Sequence, residues 1–453
     1  MRLTHAMPRV AARRRALGLA GLLAAGACAG APGPAAPSPA DIPALEARRA
    51  QSPDDPAANL RLGEAYYSAQ RYPDARQALA RTLLHEPGNA EAQVYLGYTY
   101  EGLGQFDSAR AVYQRLEAAK PSGAAGRLLQ GRLTLVERHQ MIYDARQALA
   151  HESTLVKAPP PPNTVAVMPF RYTGTDSTYR PLSRGLAAMV VTDLSRVHSL
   201  RLVERDRLQA LLDEMKLSES GRVDPATGAR SGHLIGASTV VQGQYDVTTT
   251  QIRMNATAVR TQDAQVASTG TGADRLQALF DLEKQVVFQL LDKLGIAVTP
   301  AERVAISERP THDIEAFLLY SRGLAAQDQG DYAAAAQDFQ AAVQRDPGFA
   351  AAGAAAQTSE QAQSASTATA STVVSATGVG TGPTTTLVLS DGVNTMNPTG
   401  AGSLTPSNGG VTGPGPGGVP TTRTTGSCEL NPSGCGGQTS ALLGILIIVI
   451  NRP

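Results

Sequence analysis

Thr164-Val165-Ala166-Val167-Met168-Pro169-Phe170 is a continuous apolar run that stops at a proline and an aromatic. A half-buried strand alternates polar and apolar residues, so a short run without alternation reads as a strand covered on both faces. The segments after it keep changing period. Residues 185–197 put Leu186, Met189, Val190, Leu194 and Val197 on one helical face. Residues 200–203 read as a short strand, and 206–215 as a second helix with Leu208, Leu211, Leu212 and Met215 inward. Asp224-Pro225 is an N-cap followed by proline at the first helical position, and Gly236 suits the end of that helix. Strands follow at 239–243, 252–259 and 265–269, and a last helix spans 273–294. The pattern predicts an α/β central domain, a mixed sheet with packed helices, over residues 160–297.

Upstream, Ala158 and Pro159 to Pro162 form a stiff spacer that marks the boundary of this domain. Before it the sequence repeats. Leu62-Gly63, Tyr66, Tyr72, Ala75 and Pro87 recur as Leu96-Gly97, Tyr100, Phe106, Ala109 and Pro121, always 34 residues on. That is the tetratricopeptide period of paired antiparallel helices. Gly63, Ala75, Gly97 and Ala109 let the helices of a pair approach, tyrosines and leucines fill the space between them, and Pro87 and Pro121 end the second helix. Residues 126–149 continue as helix and cap the array, so all-α hairpins occupy 51–155. A third copy lies in 311–350, with Gly323, Tyr332, Ala335, Phe339, Ala342 and Pro347 in register and Gly330 at the turn. One repeat cannot bury its apolar face alone, so this copy must pack on the preceding domain or on another subunit. By the register, Glu64, Tyr67, Tyr98 and Glu101 project from the first helix of each unit toward the concave face. They are the candidate residues for binding a protein partner.

The termini carry other signals. Arg9, Arg13, Arg14 and Arg15 precede the short apolar run 16–27, and small residues lead to Cys28. A basic start, an apolar stretch of this length and small residues describe a secretory signal over 1–28. The run is too short for a membrane-spanning helix, which needs about 20 apolar residues. Ala25-Gly26-Ala27-Cys28 resembles a bacterial lipobox, with Ala25 where the usual leucine stands. That resemblance implies a lipid on the Cys28 thiol and attachment to a membrane; plain cleavage after a small residue is the alternative. Residues 29–50 read as a flexible tether. Residues 359–440 are dominated by Ser, Thr, Gly and Pro, with too little apolar surface to offset the entropy of ordering, and are predicted disordered. Residues 441–453 end the chain with an apolar stretch that suits a strand better than a spanning helix. In an oxidising compartment Cys428 and Cys435 can pair, although their spacing does not fix the connectivity.

Composition removes several function classes. The 453 residues carry a net charge of +1, so no global field favours nucleic acid. The seven histidines, at 5, 85, 139, 151, 198, 233 and 312, form no pair with metal-ligand spacing. No phosphate-binding loop, nucleophile elbow or zinc-protease motif is present, and the glycine-rich 378–382 falls in the low-complexity region. Glu204-Arg205-Asp206 reads as a solvated helix start with carboxylates near the positive dipole end. A chain without a catalytic constellation and without a cofactor is the expectation.

Val165 to Phe170, then the helix at Gly185-Leu186-Ala187, Val203-Glu204-Arg205 before Leu208 to Glu214, and Gly221, Val223-Asp224, Ala226-Thr227, Leu234 to Ala237 and Val240 to Gly243 keep one order and spacing. Together they resemble the curli-assembly (CsgG-like) lipoprotein family and its flagellar outer-membrane, FlgO-like, relatives, over about residues 165–296. The opening also resembles the N-terminal domain of the periplasmic TolB family. The resemblance implies an α/β periplasmic domain, lipid anchoring to the outer membrane and self-association into an oligomer. In the best-known member of the family an oligomeric secretion pore draws its membrane strands from long hairpins. Here the region between Tyr245 and Ala273 is short, and residues 251–260 carry Arg253 and Arg260. Two readings stand: an envelope assembly or secretion accessory lipoprotein that binds protein partners through its repeats, or an oligomeric outer-membrane pore.

Overall fold

The 34-residue period folds into helical hairpins. The computed structural model describes residues 37–217 and 221–377; the leader with Cys28, the pair Cys428 and Cys435, residues 378–440 of the predicted tail and the apolar end lie outside them. Six helices come first: α1 (Ile42–Gln51), α2 (Pro56–Ser68), α3 (Tyr72–His85), α4 (Ala90–Gly102), α5 (Phe106–Ala118) and the long α6 (Gly123–Ala150). Glycine sets the distance within each hairpin. A Cβ on Gly63 would stand 2.6 Å from Leu79 Cγ, and one on Gly97 would stand 2.4 Å from Tyr113 Cε1. Only a hydrogen at these positions lets α2 meet α3 and α4 meet α5.

The helix α1 overlaps the predicted tether over 29–50, and this corrects that expectation. Ile42 is buried in one cluster with Leu62, Ala65 and Tyr66, and Tyr66 Oη donates to Glu46 at 2.6 Å. These contacts order a segment whose Ala and Pro content alone predicts a flexible chain.

After the short α7 (Glu152–Leu155), the strands β1 (Thr164–Val167) and β2 (Arg171–Tyr172) enter the sheet. The helix α8 (Leu182–Leu194), the strand β3 (Arg201–Leu202) and the helices α9 (Arg205–Glu214) and α10 (Pro225–Ile235) follow, then β4 (Thr239–Val247), β5 (Gln251–Arg260), β6 (Val266–Arg275) and α11 (Leu279–Lys293). The sheet runs β3-β1-β4-β5-β6, with β2 also on β4. The pairs of β1 and β2 are parallel, while β4, β5 and β6 are antiparallel. Val165 and Val167 join the core under α8 and α11, whereas Ala166 and Met168 join a second core under α9 and α10. Burial on both faces is why the opening strand shows no alternation. In β5 the alternation returns: Ile252, Met254, Ala256 and Ala258 are buried, and Gln251 and Arg253 are exposed. Asp224 caps α10 by accepting from Thr227 N at 3.0 Å, and Gly236 ends that helix in the left-handed region.

Residues 273–275, predicted as the start of the last helix, are strand. They pair with β5, Ala273 opposite Arg253 and Arg275 opposite Gln251, and the backbone partner across the sheet overrides the local helical pattern. The two hairpins are closed by residues 248–250 and 261–265, so neither extends beyond the sheet.

The chain then runs through α12 (Pro300–Ser307), α13 (Ile314–Gln329), α14 (Tyr332–Arg345), α15 (Ala350–Thr367) and α16 (Ala370–Ala376). The third repeat, α13 and α14, keeps the spacing rule: a Cβ on Gly323 would lie 2.6 Å from Phe339 Cδ1. Its apolar face is buried on the preceding domain. Phe317 and Phe280 meet edge to face at 5.3 Å, and a Cβ on Gly185 of α8 would lie 1.9 Å from Ser321 Oγ of α13.

α15 and α16 correct the predicted start of the disordered region at residue 359. Ala352, Ala356, Ser359, Ala362 and Ala365 form a buried stripe of small side chains at helical spacing. The stripe brings α15 so close to α6 that a Cβ on Gly131 would stand 2.0 Å from Gln361 O. Composition counts such residues as low complexity, but their spacing packs a helix.

Arg205 corrects the solvated helix start. Asp328, at the end of α13 and 3% exposed, accepts from Arg184 Nε of α8 at 3.1 Å and Arg205 Nη1 of α9 at 2.5 Å. From α6, Arg138 donates to the carbonyls of Gln327 and Asp328 at 3.2 and 2.7 Å. It thereby satisfies the Asp328 carbonyl, one of those that the end of a helix leaves open, and adds a second donor to Gln327 O, which already accepts from Gly330 N at 2.9 Å. Asp328→Ala leaves Arg184 without its carboxylate and Arg205 with Asp206 alone. Breaking such a buried pair destabilises by about 3–5 kcal/mol, and the partial exposure of both arginines puts this one near the lower end. Urea unfolding of the full chain should show that loss; an unchanged midpoint would remove the cluster from the account.

Candidate partner-binding groove

The first helices of the successive units, α2, α4 and α6, line the inner side of the array. The 34-residue register carries Glu64 to Tyr98 and then to Arg132, and Tyr67 to Glu101 and then to Leu135. Tyr98 and Glu101 come together on the groove floor. Arg132 holds Glu101 through two bonds, Nε to Oε1 at 2.7 Å and Nη2 to Oε2 at 2.6 Å, and its guanidinium lies 4.3 Å from the centre of the Tyr98 ring. Tyr113 Oη donates to the same Glu101 Oε1 at 2.7 Å. The paired carboxylate keeps Arg132 protonated despite its burial, and burial pushes the Tyr98 hydroxyl up to about 12. Tyr67 stands half-buried beside them, its ring 5.6 Å from Tyr95 and 6.2 Å from Tyr98.

Glu64 departs from its expected place on an open concave face. Its side chain is 1% exposed, with Oε2 accepting from Arg61 Nη1 at 2.9 Å. Burial, followed by the like charge of Glu91 and opposed by Arg61, pushes its carboxyl up to about 8. Position in the repeat placed it on the inner helix, but the turn of α2 points it into the contact with α4.

The expected open groove is also partly filled. Ala370, Val373 and Val374 of α16 are buried in one cluster with Tyr95, Tyr98, Leu129 and Leu133, and Tyr98 Oη donates to Ala368 O at 3.0 Å. Arg132 and α16 are the residues that the candidate set lacks. Continuing the register one unit beyond Tyr98 finds Arg132; no sequence pattern announces that the far segment returns to this groove.

Residues 146–256 match the family model of the curli production assembly/transport component CsgG. The chain carries a CsgG-family domain. Tetratricopeptide models match residues 42–86, 60–124 and 316–349 on either side of it, and the families found are non-catalytic. No curated relative matches the chain. Among solved structures, the C-terminal domain of LpoB from Salmonella enterica is 13% identical, with 27% of this chain on 91% of that one and a TM-score of 0.22. Lipoprotein GNA1162 from Neisseria meningitidis is 14% identical, with 30% on 100% and a TM-score of 0.23. Scores this low leave the assignment to the family match. The match starts inside α6, so the last helix of the array is also the entry to the CsgG-type domain. Among the described residues no helix is long and apolar enough to cross a membrane, and no group of three His, Cys, Asp or Glu side chains is placed to hold a metal.

The Glu64 carboxyl gives a pH dependence of definite sign. Unfolded, it ionises in the ordinary glutamate range; folded, it keeps its proton to about 8. The native state binds the proton more tightly between about pH 5 and 8, so this group makes stability fall as pH rises through that window. Glu283, whose carboxyl burial also pushes well up, adds a slope of the same sign. Glu64→Gln should therefore flatten, without abolishing, the fall in melting temperature from pH 5.5 to 8.5. An identical slope in both chains would place Glu64 elsewhere.

Proposed function

We propose that this protein is an accessory lipoprotein of the bacterial cell envelope that binds a protein partner through its repeats. The lipid on Cys28 holds it to the outer membrane from the periplasmic side, the groove recruits the partner, and the CsgG-type domain docks on an assembly or secretion complex. The observation that carries this reading is the fixed connection between groove and domain. The helix α6 lines the groove with Arg132, and further along it caps α13 with Arg138 and packs on α9. A partner on the groove is thereby held at one position relative to the CsgG-type domain. Tetratricopeptide families support protein binding, and the absence of a catalytic motif in the sequence favours assembly over chemistry.

The hairpins support the accessory role over a pore. A transmembrane strand needs about 9–11 residues within an outward apolar band, and β5 presents Gln251 and Arg253 on its exposed side. A charge at the bilayer midplane costs about 2–4 kcal/mol on such a face, in every subunit of a ring. Affinity capture of the full chain from solubilised membranes tests the proposal. The chain should retain a protein partner, Tyr67→Ala should lose most of it, and Cys28→Ser should release the chain from membranes. Channel steps in planar bilayers, or capture indifferent to Tyr67, would contradict it.

A further inference from the structure

The groove between α4 and α6 is already occupied by a segment of the same chain. α16 is seven residues long and is joined to α15 by Ala368 and Thr369. Thr369 caps it, accepting from Thr372 N at 3.2 Å. Three small side chains, Ala370, Val373 and Val374, enter the groove, while Ser371, Thr372 and Ser375 face solvent. Its polar tie to the array comes from the linker just ahead of it, Tyr98 Oη to Ala368 O at 3.0 Å, while Arg132 Nη1 reaches Ala365 O in the last turn of α15 at 3.4 Å. A helix this short is not stable alone in water, so α16 exists as a helix only because the groove receives it.

We propose that α16 is an internal stand-in for the partner, occupying the groove until a segment of the same chemistry displaces it. This inference rests on the reading of the repeats as a recruiting surface and names what that surface accepts. The partner is a protein segment that forms one or two helical turns, capped by Thr or Ser, with small apolar residues at the positions of Ala370, Val373 and Val374. The groove takes such a segment because its walls are Tyr95, Tyr98, Leu129 and Leu133, and because Tyr98 donates to the carbonyl of Ala368 just before the helix. The residue pattern is the partner's signature, and the tether sets the threshold. A segment tethered this closely acts at an effective concentration of about 1 mM. A free peptide with an intrinsic Kd of about 50 μM then binds the parent chain roughly 20-fold more weakly than it binds an emptied groove.

The test uses a fluorescent peptide with the sequence of residues 366–377, titrated into the full chain and into its Val373→Asp variant. The substitution puts a carboxylate among apolar side chains and dislodges the internal copy. The variant should bind the peptide at least ten-fold more tightly than the parent; equal affinities, or no binding to either, overturn the proposal. Hydrogen exchange on the unmodified chain gives a second measure that needs no variant. Amides of α16 should exchange at least a hundred-fold faster than those of α4, and equal protection would make α16 a permanent part of the array and sink the idea. A membrane partner that is captured through Tyr67 but not released by the peptide would defeat this inference while leaving the recruiting role of the repeats intact.

Discussion

The structure depends on one carboxylate at the end of one helix. Asp328 receives an arginine from α8 and another from α9, and the carbonyls around it receive Arg138 from α6. Four helices from three parts of the sequence converge there: the last of the first array, two from the CsgG-type domain and the first of the third repeat. A lone repeat has an apolar face that water would expose. Phe317, Ala342 and Phe349 bury that face in the domain's own core, and the ion cluster fixes the angle at which they do so. Burial supplies the driving force, and the charges select one orientation.

Glycine performs the complementary task at close range. Gly63, Gly97 and Gly323 set the distance within the repeats, whereas Gly131 and Gly185 set the distance between units. The first three recur with the repeat, as Gly131 does 34 residues after Gly97, but Gly131 and Gly185 face helices far away in the chain. The same division runs through the groove. Tyr98 and Glu101 belong to the repeat, while the carbonyl that Tyr98 holds comes from Ala368.

What could be read from the sequence follows this division between local and distant causes. The hairpins were legible because 34-residue spacing repeats the same small-against-large contact. The central domain was legible because Val165 and Ala166 point to two different cores, which erases alternation, and because Asp224-Pro225 and Gly236 punctuate α10. The end of β6 was not, since residues 273–275 are strand only through their partners in β5. Arg205 was misread for a similar reason: Asp328 gives it a buried role, and nothing near it in sequence announces that. The helices α15 and α16 were hidden by composition, because alanine, serine and threonine look like a linker until their spacing meets α6. Of the candidate groove residues, Tyr67 is half-buried, Tyr98 and Glu101 are covered by α16 and Arg132, and Glu64 is turned inward toward α4.

If the account is right, the first array and the CsgG-type domain hold one mutual position, since a scaffold that presents a partner at a set place cannot be hinged. Spin labels at two exposed positions, Arg76 on α3 and Gln251 on β5, would measure this directly in the full chain with its three cysteines replaced by serine. Double electron–electron resonance should give a single narrow distance distribution that broadens when Asp328 is replaced by alanine. A broad distribution in the unaltered chain, or one that Asp328→Ala leaves unchanged, would contradict the claim that this carboxylate locks the parts into one body.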